Sequence, residues 1–102
     1  MFALVVRFGL HDQAAADAFD KVVAELVTKI ATNERGTLVY ATHHVDGDPL
    51  ARIFYEVYES RTALDVHEAQ PWTREFLDNR HLYVKDTRVE FLSDGPAKGL
   101  PL

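Results

Sequence analysis

From Phe2 to Phe8 every even position is apolar (Phe2, Leu4, Val6, Phe8), and the odd positions Ala3 and Val5 are apolar too, until Arg7. Such a run of β-branched and aromatic residues, stopped by Gly9, predicts a strand. A strand that is apolar on both faces expects cover on both. Beyond Asp12, a good helix N-cap, apolar residues recur at three- and four-residue spacing: Ala15, Ala18, Phe19, Val22, Val23, Leu26 and Ile30. Asp17, Asp20, Lys21, Glu25 and Lys29 fall between them. The pattern predicts a long amphipathic helix that ends near Asn33, with Gly36 as its breaker.

The alternation from Thr37 to Val45 predicts a second strand, and the cluster Asp46-Gly47-Asp48-Pro49 a turn. Ala51–Glu59 reads as a third strand, so the two form a hairpin. Ser60 caps a short helix running to about Ala69, and Pro71 suits the first position of another, because its missing N–H would be unpaired there anyway. Leu82–Leu92 reads as a fourth strand, and residues 94–102 as an irregular tail following a domain over residues 1–93. The order β-α-β-β-α-β is the split βαβ, ferredoxin-like arrangement: an α+β protomer with a four-stranded antiparallel sheet and its helices on one face. The other face keeps apolar side chains, among them Val5, Val39, Tyr55 and Val57. Nothing in so short a chain is expected to cover it, which predicts a homodimer.

Composition narrows the chemistry. The 102 residues suffice for one domain, and 47% hydrophobic with 26% charged residues is the balance of a globular chain. A net charge of −5 without a basic stripe argues against nucleic acid or an anionic membrane as partner. No apolar run approaches the roughly 20 residues needed to cross a bilayer. The chain has no cysteine, which removes thiolate nucleophiles, disulfides and cysteine-held metals and suits a reducing cytoplasm. No phosphate loop, nucleophile elbow or His-Glu-x-x-His helix is present.

His43 and His44 are adjacent on a strand and point to opposite faces, so they cannot share one ion. His11 and His81 fall at junctions and are expected at the surface. His67 stands apart: it lies on a short helix, three residues after Leu64, on the side expected to face the sheet. A histidine held there can act as general base or hydrogen-bond donor, although on spacing alone a lone helix histidine is more often a packing residue. Trp72 and Phe76, four apart on one helix face, join Tyr40, Leu4 and Val6 in an aromatic and aliphatic group. That group is either a pocket for a flat ligand or simply core. Glu56, between Tyr55 and Val57, reads as a structural carboxylate, exposed or paired with Arg7 or Arg52.

The stretch Arg52-Ile53-Phe54-Tyr55-Glu56-Val57-Tyr58-Glu59-Ser60-Arg61-Thr62-Ala63-Leu64-Asp65-Val66-His67 resembles the signature of the antibiotic biosynthesis monooxygenase family. In that family a strand ending Tyr-Glu-x-Trp/Tyr-x-Ser leads into a helix with Ala-Leu-x-x-His. Gln70-Pro71-Trp72 is similar to the family's helix restart, and Glu34-Arg35-Gly36-Thr37-Leu38-Val39-Tyr40 to its second-strand motif. The resemblance spans roughly residues 2 to 92. It implies a dimeric α/β barrel, a pocket between sheet and helices in each protomer, and oxidation of quinols or polycyclic phenols by O2 without metal, flavin or haem. Other members degrade haem, isomerise a phosphorylated sugar derivative, or have no known activity. Haem-degrading members carry an Asn, a Trp and a His where this chain has Val6, His67 and Leu77, so haem is not expected. Trp72 stands where many members have a second His. The expected function is a cofactor-independent monooxygenase with His67 catalytic and Trp72, Tyr40, Phe76, Val6 and Leu4 binding substrate. The alternatives are a proton-shuttling isomerase, with Arg74 or Arg80 gripping a phosphate, and a non-catalytic ligand-binding dimer.

Overall fold

A computed structural model of the chain describes residues 1–100; the last two residues of the tail lie outside the described part. The elements are β1 (Phe2–Leu10), α1 (Gln13–Asn33), β2 (Thr37–Val45), β3 (Asp48–Tyr58), α2 (Arg61–Glu68), α3 (Pro71–Asn79) and β4 (Val84–Leu92), with a 3₁₀ turn at Arg80–Leu82. All strands pair antiparallel in the order β2-β3-β1-β4, the ferredoxin-like sheet. Asp12 accepts a 2.8 Å hydrogen bond from the Ala15 N–H and Ser60 a 3.2 Å bond from the Ala63 N–H, so α1 and α2 start where their caps dictate. Replacing Asp12 with Ala is expected to lower stability by about 1 kcal/mol, measured as a shift in urea midpoint at constant m value.

Two strand starts and one helix face differ from the sequence pattern. β3 begins at Asp48, because the hairpin closes through Asp46-Gly47 alone and pairing runs up to the turn. Gly47 supplies the positive φ of 81° that this tight turn needs. β4 begins at Val84, since the 3₁₀ turn consumes Leu82 and closes with Tyr83 N–H donating to the Arg80 carbonyl at 3.0 Å. On α1 the buried stripe is Ala16, Phe19, Val23, Leu26 and Ile30. This three-four-three-four spacing leaves Ala15 and Ala18 half-buried at its edge.

The helices cover one face. Phe19 of α1 is fully buried, with ring centroids 5.4 Å from Phe8, 6.0 Å from Phe54, 5.8 Å from Phe76 and 6.3 Å from Tyr83. It therefore joins α1 to two strands, α3 and the segment before β4. The opposite face carries Val5, Val39, Ala41, Ile53 and Tyr55 half-buried, with Arg7 exposed among them. One expectation needs correcting there: the chain does cover part of this face. Residues 93–97 and Leu100 share a hollow with Ala3, Tyr55 and Val57, and the N-terminal amine meets the Asp94 carboxylate at 3.2 Å. Val57, which borders that hollow and lies between Ala3 and Val39 in the sheet, is 1% exposed.

Candidate active site

Strand parity lays out the floor of the site. Tyr40, Glu56, Leu4 and Phe91 are directly opposed across β2, β3, β1 and β4, and all point to the helix side. The next row holds Phe54, Val6 and Val89. Over these rows lie α2, which buries Leu64 and His67, and α3, which buries Thr73 and Phe76. Between sheet and helices remains a cavity of 180 Å³, lined by Leu4, Val6, Tyr40, Phe76, Glu56 and His67 together with Thr73, Arg80 and the β4 side chains. A cavity of about 150 Å³ holds a benzene ring, so this one is ring-sized.

His67 is 5% exposed and lies between two aromatic rings, with centroids 5.4 Å from both Tyr40 and Tyr58. Its Nδ1 stands 2.7 Å from Oε1 of Glu34. The same carboxylate accepts from Thr37 Oγ1 at 2.7 Å and from Trp72 Nε1 at 2.6 Å. Three donors converge on an acceptor, so His67 carries its proton on Nδ1 and keeps Nε2 for chemistry. Nε2 has no protein partner among the described residues. Glu34 reaches this place because it caps the C-terminus of α1, its backbone N–H still bonded to the Ile30 carbonyl at 3.0 Å. Gly36 lets the following turn approach α2: a Cβ there would lie 2.8 Å from that of Ala63.

Five of the six expected site residues, His67 among them, thus share one cavity, and one does not. His67, Tyr40, Phe76, Val6 and Leu4 line it; Trp72 lies outside, its indole half-buried and its N–H spent on Glu34. Trp72 borders instead a larger groove of 410 Å³ between α1 and α3, whose polar lining is the exposed Glu25, Lys29, Glu75 and Asn79. No buried polar group converges on that groove, and the smaller cavity holds three: Glu56, His67 and Thr73. Arg80 lines the cavity and Arg74 does not. His43 and His44 are exposed and paired with Ile53 and Arg52 in separate rows. Among the described residues no three His, Asp or Glu side chains converge as metal ligands.

Glu56 is a correction. It pairs with neither arginine, since Arg7 meets Asp48 at 2.9 Å and Arg52 grips Asp20 at 2.8 Å. It is buried, accepts the Tyr58 hydroxyl at 2.5 Å, and faces the cavity. Burial outweighs that hydrogen bond and, with the nearby Glu68 and Glu34, pushes its carboxyl up from 4.5 to about 7. Burial likewise raises the phenol of Tyr40, with Glu56 and Glu34 adding to it, so Tyr40 stays a neutral donor. The folded state then holds the Glu56 proton through the window between 4.5 and about 7 while the unfolded chain has released it. Stability falls as pH rises across that window. Glu56→Gln is expected to gain melting temperature relative to the wild type between pH 5 and pH 8, as scanning calorimetry at both ends would show.

A four-stranded antiparallel sheet, three helices on one side and a cavity between them define a ferredoxin-like α+β protomer with a candidate site. Residues 1–79 match the model of the antibiotic biosynthesis monooxygenase family, and the chain belongs to that family. No curated protein matches the chain. Among solved structures it is similar to one described as an antibiotic biosynthesis monooxygenase, at 24% identity over 94% of this chain and 100% of the other, with a TM-score of 0.84. PA3566 from Pseudomonas aeruginosa (18% identity, 93% and 94% covered, TM-score 0.84) and Rv0793 from Mycobacterium tuberculosis (22%, 94% and 96%, TM-score 0.83) share the fold.

Proposed function

We propose that the chain is a cofactor-independent monooxygenase of a small phenol or quinol, with His67 as its base. One observation carries this reading: a buried histidine, its Nδ1 held by Glu34, faces a chamber just large enough for an aromatic ring. His67 Nε2 removes a hydroxyl or α-carbonyl proton, and Phe76, Leu4, Val6 and Tyr40 hold the ring away from water. The electron-rich anion passes one electron to O2, and the two radicals recombine to a hydroperoxide. Loss of water leaves a quinone with one added oxygen, so one O2 gives one H2O and turns a phenol into its quinone or a quinol into the hydroxyquinone. An oxygen electrode with 1,4-dihydroxynaphthalene tests it: one O2 per quinol, faster than in buffer, is expected, and a rate no higher than that of buffer would sink the reading.

Arg80 gives the isomerase alternative some footing, since it lines the cavity and makes no ion pair among the described residues. Turnover that persists without O2 and carries solvent deuterium into the product would select that reading. The protomer is proposed to pair through its half-buried sheet face in a reducing cytoplasm, with the tail at the rim of that interface. Sedimentation equilibrium at micromolar concentration is expected to give twice the 11.6 kDa chain mass; a monomer would contradict it.

A further inference from the structure

The monooxygenase reading uses one proton-transfer group, and the cavity contains a second. Glu56 rises from the sheet floor, opposite Tyr40 on one side and Leu4 on the other. Tyr58 occupies its Oε1, and its other oxygen has no protein partner among the described residues. Thr73, 3% exposed at the start of α3, borders the same cavity, and its buried hydroxyl lacks a hydrogen-bond partner among the described residues. A buried hydroxyl without a partner costs stability unless a bound molecule supplies one. Of the other polar walls, His67 has Glu34 on Nδ1, while its Nε2, the Tyr40 hydroxyl and the Arg80 side chain have no hydrogen-bond partner among the described residues.

We propose that Glu56 is the acid of this site, and that with Thr73 it receives a second oxygen function of the substrate, a carbonyl in conjugation with the hydroxyl that His67 deprotonates. The substrate class is therefore a hydroxycarbonyl aromatic or its vinylogous equivalent. This rests on the cavity being the active site. His67 Nε2 takes the hydroxyl proton while the Glu56 carboxyl keeps its own and donates a hydrogen bond to the carbonyl oxygen, over which the negative charge is spread. The substrate leaves that step as its anion, with no change in electrons. The imidazolium of His67 holds the proton removed and returns it to the hydroperoxide. Two titratable side chains held in opposite protonation states are how acid and base roles are divided within one site. The charged and titratable groups facing Glu56 are Tyr58 on its own strand, Tyr40 on β2, Glu34 after α1, His67 and Glu68 on α2 and Arg80 after α3.

Infrared difference spectroscopy of the intact protein, paired with calorimetric titration of 4-hydroxybenzaldehyde and phenol, tests this. The wild type should show the C=O stretch of a protonated carboxyl that disappears around pH 7 and is missing in Glu56→Gln. That band should shift when 4-hydroxybenzaldehyde binds and stay in place with phenol, which lacks the carbonyl. The aldehyde should bind about 3- to 10-fold tighter than phenol, an advantage that Thr73→Val reduces, in line with the worth of one neutral hydrogen bond. Should Glu56→Gln fail to fold, the comparison of the two ligands on the wild type still decides. A carboxyl ionised throughout the neutral range, or a band indifferent to the aldehyde when both ligands bind equally, overturns the proposal and leaves the cavity reading standing. Binding of neither compound overturns both.

Discussion

His67→Ala is expected to lower turnover of a phenolic substrate by about 10²- to 10⁴-fold, the usual contribution of a positioned general base. KM should change far less, because Leu4, Val6 and Phe76 supply the apolar contacts and survive the substitution. The variant should stay folded: Glu34 keeps the Thr37 hydroxyl and the Trp72 indole as donors, so its carboxylate is not stranded. His67→Gln retains a side-chain donor and should fold like the wild type while sharing the loss of rate. Steady-state O2 uptake with circular dichroism of each variant provides the check. Activity within about threefold of wild type in His67→Ala would show that no base acts from this position.

Phe19→Ala is expected to cost about 3–5 kcal/mol, the range for truncating a buried phenylalanine. Phe19 meets four aromatic rings from four different segments, and no neighbour can collapse into its space without leaving another. For a chain of this size that is a drop on the order of 20 °C in melting temperature. Differential scanning calorimetry would show it. A drop of under about 5 °C would mean that the aromatic cluster is not the keystone of the helix–sheet interface.

The fold was legible because its signals are local. Period-two runs mark the strands, the Phe19-to-Ile30 spacing marks α1, and Asp12, Ser60 and Pro71 mark helix starts. What escaped was set by contacts between distant segments. Trp72 has the look of a stacking residue, yet its N–H found a carboxylate 38 positions away. Glu34, just before a helix-breaking glycine, resembles an ordinary surface residue. Only the approach of Gly36 to Ala63 buries it under α2. The signal was present in the second-strand motif that begins with Glu34, without a hint of its partner. Glu56 was closer to reach. Its parity matches Phe54 and Tyr58, so a strand with Tyr55 and Val57 on the far face must turn Glu56 towards the helices. The expected arginine partners misled, because Asp48 and Asp20 lie nearer to them.

The reading depends most on which nitrogen of His67 faces the chamber. Long-range ¹⁵N–¹H correlation of the imidazole measures this directly. A protonated Nδ1, held by Glu34, is expected, with a bare Nε2 whose resonance moves when phenol is added. A proton on Nε2, or an Nε2 resonance that ignores the ligand, would contradict it.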